Sequence, residues 1–138
     1  MTIVAKKYFT VAEADAMLPD VSKSVEKLMT IADTLETFDE IKLGFEDDFA
    51  AVAHEVTKNK NFHKLSHDLY AGIEQLLQQG IIVKDLEMGL VDFFAQVDGK
   101  EIFLCWKAGE AKIGHWHEVN AGFKNRKPIS SIKEKFQS

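Results

Sequence analysis

The sequence predicts an α+β domain in which a long antiparallel helical hairpin packs on a three-stranded antiparallel β-meander. Apolar residues recur at every third or fourth position before Gly80, and they alternate or cluster after it. Asp98-Gly99 is a strong β-hairpin signal, because a type I′ turn needs positive φ at both central residues. The 138 residues fit a single domain, divided into a helical hairpin, a meander with its closing loop, and a tail: 8–80, 81–129 and 130–138.

Composition and charge argue against several classes of protein. With 46% hydrophobic and 28% charged residues, the chain is expected to form a packed core. A formal net charge of −5 argues against nucleic acid as a partner, since phosphate binding needs a basic surface. A single cysteine excludes an internal disulfide, and neither a signal peptide nor a membrane-spanning run is recognisable. We therefore expect a cytoplasmic protein with no membrane partner.

The first helix has a clear start. Thr10 and Glu13 have the spacing of a capping box, in which each side chain binds the other residue's free backbone N–H. Pro19 disfavours a helical conformation at the preceding residue. The expectation is a short helix over residues 11–17, a break or kink, and a longer helix to about Phe38 with one apolar stripe.

The second helix is predicted over residues 47–79, after a reversal near Leu43-Gly44. The polar run 57–61 is either a break or an exposed turn of one continuous helix. Gly80 is well placed to adopt the left-handed conformation just past the helix end. His63 and His67 lie beside the apolar stripe, toward solvent, and are expected to be a surface pair.

Three strands are predicted over residues 90–97, 101–106 and 112–117. Counting back from the two-residue turn places Asp92 opposite Cys105 and Phe94 opposite Phe103. The other face of the hairpin is apolar and is expected to be covered by the helices; it carries Val91, Phe93, Leu104 and Trp106.

The third strand has two possible registers. A two-residue turn at Gly109-Glu110 would place His115 and His117 on the core face. A three-residue loop would place Trp116 there and the histidines beside Cys105. The hydrophobic pattern favours the second register, because burying two histidines without partners is costly.

In that register the second face of the sheet carries both polar and aromatic residues. His115 and His117 point the same way, and Asp92 or Cys105 could supply a third metal ligand. The pattern lacks the spaced cysteine pairs or HExxH of recognisable zinc sites. Ordinary half-buried histidines are the favoured interpretation, and no metal ligands are assigned. The aromatic residues on this face predict that the C-terminal segment, a second subunit or a ligand covers it.

Cys105, His115 and Asp92 could also form a nucleophile, a base and an orienting group. A lone cysteine between Leu104 and Trp106 is more often a small buried apolar residue. Arg126 could hold a carboxylate or phosphate, or it could pair with a glutamate of the chain. The sequence contains no Gly-rich phosphate loop, Walker sequence or GxSxG motif.

A series of short motifs follows in order along the chain. They are Tyr8-Phe9-Thr10, Ala14, Leu18-Pro19, Val83-Lys84-Asp85, Gly89-Leu90-Val91-Asp92-Phe93, Leu104-Cys105-Trp106, Gly109-Glu110, Trp116-His117, Gly122-Phe123, Arg126 and Pro128. With these motifs the chain resembles, over residues 8–129, the bacterial and archaeal family called domain of unknown function 2203. The resemblance implies the α+β fold and a cytosolic setting, and it supplies no catalytic residues. The family often has proline where this chain has Phe94.

Two functions are carried forward. The first is a non-enzymatic binding or interaction module that forms a homo-oligomer through the second sheet face or the helical hairpin. The second is a small metal-dependent or cysteine-dependent enzyme that uses the second sheet face. Both leave the cofactor and ligand unknown. The second hypothesis uses the candidate binding residues, which are Asp92, Cys105, His115, His117 and Arg126.

Overall fold

The computed structural model describes residues 6–38 and 48–132. Within them, two α-helices precede an antiparallel sheet, which confirms the α+β class. The sheet has five strands rather than the predicted three. The elements are α1 (Val11–Thr37), α2 (Asp48–Gln78), β1 (Ile81–Asp85), β2 (Leu90–Val97), β3 (Lys100–Lys107), β4 (His115–Glu118) and β5 (Lys127–Pro128).

Helix α1 begins at the predicted capping box. The Glu13 N–H donates to Thr10 Oγ1 at 3.1 Å, and the Thr10 N–H donates to Glu13 Oε1 at 3.0 Å. The prediction at Pro19 was a break or a kink, and the break is wrong, since α1 continues through this residue. Proline inside a helix costs about 3 kcal/mol. Leu18 and Val21 are buried on either side, and each contributes about 1.5–3 kcal/mol, which offsets that cost.

Helix α2 is continuous through the polar run 57–61, so the exposed-turn alternative is the correct one. Gly80 follows with φ of 88°, as predicted for the residue past the helix end. The predicted reversal at Leu43-Gly44 lies outside the described residues. Among the described side chains of α2, Leu76 alone is buried, whereas α1 buries six. The hairpin therefore packs mainly through α1.

The strands lie in chain order, β1-β2-β3-β4-β5, and each pairs antiparallel with its neighbour. Asp98 and Gly99 have φ of 52° and 76°, so both have the positive φ that was predicted for the central residues of the turn. The prediction missed both outer strands. The apolar run at the start of β1 has no alternation, and its pairing shifts between Val83 and Asp85. Strand β5 is two residues long, too short for any periodicity.

Strand β4 begins three residues later than predicted, because the Ile113 N–H donates to Asp15 Oδ1 at 2.6 Å and not to β3. Its register is the one that the hydrophobic pattern favoured. Trp116 pairs with Leu104, and His115 pairs with Cys105. Trp116 therefore joins the buried core with the residues predicted for that face, Val91, Phe93, Leu104 and Trp106.

The segment directly after β5 packs against the core. Ile132 is buried in the core, and the Trp116 indole N–H donates to Ser131 Oγ at 2.9 Å. The rest of the predicted tail lies outside the described residues. No helix in the described ranges combines the length and apolar character needed to cross a membrane.

Candidate metal centre

Strand pairing gathers the polar candidates on the second face of the sheet. Asp92 of β2 pairs with Cys105 of β3, and Cys105 in turn pairs with His115 of β4. His117 pairs with Phe103, two residues before Cys105, and therefore points to the same face. Arg126 reaches this region from the loop between β4 and β5.

Three of these residues form a compact cluster, the trio Asp92, Cys105 and His117. A carboxylate oxygen, the thiol sulfur and a ring nitrogen all lie within 4.8 Å of one another. His117 Nε2 lies 3.1 and 3.0 Å from the two carboxylate oxygens of Asp92. The residues are 2%, 2% and 4% exposed. Such burial is unusual for polar side chains unless they are paired or bind a metal ion.

The second ring nitrogen of His117 determines which atom faces the trio. Nδ1 lies 2.8 Å from the backbone carbonyl of Glu118. A carbonyl oxygen only accepts hydrogen bonds, so Nδ1 carries a proton and donates it. Nε2 is therefore free to present a lone pair to a metal ion, or to share a proton with Asp92. A backbone carbonyl on the other ring nitrogen is the usual support of a histidine metal ligand.

The surroundings of Asp92 and Cys105 disfavour the charged form of each side chain. Burial raises the pKa of Asp92 above its ordinary value of 3.8, although His117 and Lys84 oppose the rise. Burial, followed by the negative charge of Asp92, raises the pKa of the Cys105 thiol to about 11, against the opposing effect of Arg126. Without a metal ion, Cys105 is thus a neutral thiol near neutral pH. This opposes its use as a thiolate nucleophile.

His115 lies beside the trio but is not part of it. Its Nδ1 is buried and has no hydrogen-bond partner among the described residues, and Glu110 Oε2 is 3.7 Å away. The ring as a whole is half-buried. Of the two histidines singled out by the sequence, His117 therefore has the ligand-like setting.

Arg126 forms an ion pair with Glu110, which is one of the two roles that the sequence suggested for it. Its guanidinium donates to both carboxylate oxygens of Glu110, at 3.2 and 3.0 Å, and lies 4.5 Å from the centre of the Phe123 ring. Burial alone would raise the pKa of Glu110, but hydrogen bonds from Arg126 and from the Lys107 backbone hold it below its ordinary range.

Two neighbours of the trio were missed by sequence reasoning. Lys84 acts electrostatically on Asp92 and lies over the Phe103 ring at 5.2 Å. The apolar run after Gly80 was the available signal for β1, the strand that brings Lys84 here. Glu118 contributes only a backbone carbonyl, and side-chain chemistry carries no signal for such a role.

Three cavities of the structure lie away from the trio. A cavity of about 890 Å³ between α1 and the β1–β2 turn is lined in part by acidic residues, including Glu26, Asp33 and Glu87. Two smaller cavities lie along the helices. None of these three cavities is lined by the trio. Donor chemistry and geometry, not cavity volume, therefore distinguish the candidate metal centre.

Comparison with known proteins gives a family but no function. The model of a family described as "Uncharacterized conserved protein (DUF2203)" matches residues 7–129. No curated protein and no solved structure matches the chain.

Proposed function

The chain belongs to the DUF2203 family, whose description assigns no activity, and we propose that it binds one divalent transition-metal ion of the zinc type through Asp92, Cys105 and His117. The observation that carries the proposal is the hydrogen bond from His117 Nδ1 to the Glu118 carbonyl at 2.8 Å. It directs Nε2 toward a buried carboxylate and a buried thiol. A histidine held in this way is prepared for metal coordination.

The donor set selects the class of metal. One sulfur, one imidazole nitrogen and one carboxylate oxygen suit zinc and related transition metals, and they do not suit magnesium or calcium, which prefer oxygen ligands. Zinc-to-nitrogen and zinc-to-oxygen bonds of about 2.0–2.1 Å, at tetrahedral angles, separate two ligand atoms by about 3.3 Å. The His117–Asp92 separations of 3.0 and 3.1 Å are close to that value.

Coordination also resolves the electrostatic problem of the trio. Two acidic groups lie side by side in a buried place that raises both pKa values. A divalent cation would replace the Cys105 proton and compensate the negative charge of Asp92. Three protein ligands leave a fourth position for water or another ligand, as in catalytic zinc sites. The geometry supports binding of the ion.

Metal content tests this function. Protein purified without an affinity tag is expected to hold about one equivalent of zinc by mass spectrometry, and Cys105→Ser is expected to lose it. His67→Ala is the matched control, because His63 and His67 form an exposed helical pair that is the obvious competing site. Circular dichroism verifies that each variant folds. Folded wild-type protein that is metal-free and takes up no added zinc would overturn the proposal.

Self-association is a second candidate function, supported by the exposed apolar side chains of α2. Of nine large hydrophobic residues that are exposed within the described ranges, six lie on this helix: Phe49, Val52, Val56, Phe62, Tyr70 and Leu77. Such a concentration is typical of an interaction surface. Light scattering during size-exclusion chromatography is expected to give the mass of a dimer. A monomer mass at all concentrations would exclude self-association.

We also propose a cytoplasmic location. A single cysteine that serves as a metal ligand must stay unoxidised, and the cytosol keeps cysteines reduced. Fractionation of cells that express the protein at its natural level tests this location. Recovery in an oxidising compartment would contradict it.

A further inference from the structure

One flank of α2 repeats large side chains at intervals of seven. Phe49, Val56, Tyr70 and Leu77 lie at multiples of seven along the helix, and they are 85%, 53%, 69% and 39% exposed. Val52 and Ile73, at spacings of three and four, extend the apolar pattern of a helix-pairing seam, and the polar residues Asn59, His63 and Ser66 interrupt it at the centre. We call this set the α2 flank: Phe49, Val52, Val56, Asn59, His63, Ser66, Tyr70, Ile73 and Leu77.

The α2 flank is distinct from the side of α2 that packs on α1. Leu76 is the buried residue of α2, and Gly72 lies so close to Leu28 of α1 that a Cβ there would clash with its side chain. Phe62 contacts Phe38 at the end of α1, with ring centres 5.9 Å apart. Ile73, at the border of the two sides, is half-buried and packs against the core. The described residues leave the other apolar residues of the α2 flank exposed: Phe49, Val52, Val56, Tyr70 and Leu77.

Charge along α2 distinguishes the two ways of pairing it with itself. Residues 55–64 carry one glutamate and three lysines, whereas residues 65–78 carry Asp68 and Glu74 and no basic residue other than histidine. Antiparallel pairing places the basic half of one helix beside the acidic half of the other. Parallel pairing would place like charge beside like charge.

We infer that the α2 flank binds the same flank of a second copy, antiparallel, about a two-fold axis that passes between His63 and Ser66. This inference rests on the self-association proposed above and adds its surface and register. The register pairs Val52 with Leu77 of the partner subunit and Val56 with Ile73 of the partner subunit. Apolar residues thus meet apolar residues at both ends, and Asn59, His63 and Ser66 lie in the middle. An isologous interface of this kind is self-complementary.

Thiol cross-linking tests the register with Val52→Cys and Leu77→Cys, each made in the full chain that retains the buried Cys105. These two positions are 25 residues apart, or about 37 Å along the helix, so a link between them must join two molecules. Mild oxidation with diamide is expected to link the mixture of the two variants and to link neither variant alone. Thr57→Cys, at an exposed position off the flank, is the control and is expected to stay unlinked.

The possible outcomes separate the register from self-association itself. A monomer by light scattering overturns both the proposed self-association and this register. A dimer in which Val52→Cys links to itself overturns the antiparallel register and leaves self-association intact. A dimer in which neither variant nor their mixture is linked assigns the interface to another surface and also overturns the inference.

Discussion

Nε2 of His117 lies 3.0 and 3.1 Å from the two carboxylate oxygens of Asp92, and both side chains are almost completely buried. The other ring nitrogen of His117 donates to a backbone carbonyl, so the ring cannot turn away without losing that hydrogen bond. The ring nitrogen and the carboxylate are within hydrogen-bond distance of each other. Under the proposed function, a metal ion would bind both groups and the Cys105 sulfur.

In the metal-free protein, Asp92→Ala is expected to lower the free energy of unfolding by about 3 kcal/mol, because it leaves the buried His117 ring without its partner. Urea unfolding in the presence of a chelator measures the change. Asp20→Ala, at an exposed position of α1, is the control and is expected to change stability by less than about 0.5 kcal/mol. Equal effects of the two substitutions would contradict a tight buried pair.

Removal of the metal ion is expected to lower the melting temperature of the wild-type protein. A ligand at 100 times its dissociation constant stabilises the folded state by about 2.7 kcal/mol, provided that it does not bind the unfolded chain. Thermal unfolding with zinc and with a chelator gives the shift. Cys105→Ser is expected to show little or none. The same shift in this variant would assign the stabilisation to a different site.

The Cys105 thiol is expected to make the metal-free protein less stable at alkaline pH. Burial, followed by Asp92, raises its pKa from 9.0 in the unfolded chain to about 11 in the folded protein. Its contribution to stability is complete below pH 9 and is lost as pH rises from 9 to 11, by up to about 2.7 kcal/mol. The difference between wild type and Cys105→Ala in chelator isolates this contribution. A difference that stays constant from pH 8 to pH 11 would refute the raised pKa.

Arg126 and Glu110 are expected to show an interaction energy of about 1 kcal/mol in a double-mutant cycle of Arg126→Lys and Glu110→Gln. Lysine cannot reproduce the two parallel hydrogen bonds of the guanidinium. The interaction energy is limited because both side chains are partly exposed to solvent. Urea unfolding of the four proteins measures it. Additive effects of the two substitutions would show that Arg126, in the loop between β4 and β5, is not coupled to Glu110, in the loop between β3 and β4.

Val56→Asp is expected to weaken the dimer at least tenfold, because it places a carboxylate in the apolar part of the α2 flank. Sedimentation velocity over a range of concentrations measures the dissociation constant. Thr57→Asp adds the same charge one residue away and off the flank, and its dimer is expected to resemble that of the wild type. Similar weakening by both substitutions would indicate a general effect of charge.

The sequence predicted the strand pairing behind the candidate site because each step depends on local chemistry. Asp98-Gly99 requires a two-residue turn, and counting from it places Asp92 opposite Cys105, as observed. The preference for a buried Trp116 placed both histidines on the face of Cys105. These steps required the turn chemistry of Asp98-Gly99, the alternation of side chains and the cost of burying histidine.

The remaining features depend on tertiary contacts. The Asp15 carboxylate accepts the Ile113 N–H and delays the start of β4, and nothing in local sequence reveals a contact between residues so far apart. Helix α1 continues through Pro19 because the nearby side chains of Leu18 and Val21 are buried, which is a consequence of tertiary packing. The support of His117 by a backbone carbonyl depends on the direction of the chain at Glu118, which composition and spacing do not encode.

Cobalt(II) titration tests the central claim most directly, because a cobalt–thiolate bond gives a charge-transfer absorption that nitrogen and oxygen ligands do not produce. The metal-free wild-type protein is expected to develop this absorption with an end point at one equivalent of cobalt and to lose it when zinc is added. Cys105→Ser is expected to lack it, and His67→Ala to retain it. Wild-type protein that stays folded and shows no thiolate absorption at any cobalt concentration would contradict a metal centre at Asp92, Cys105 and His117.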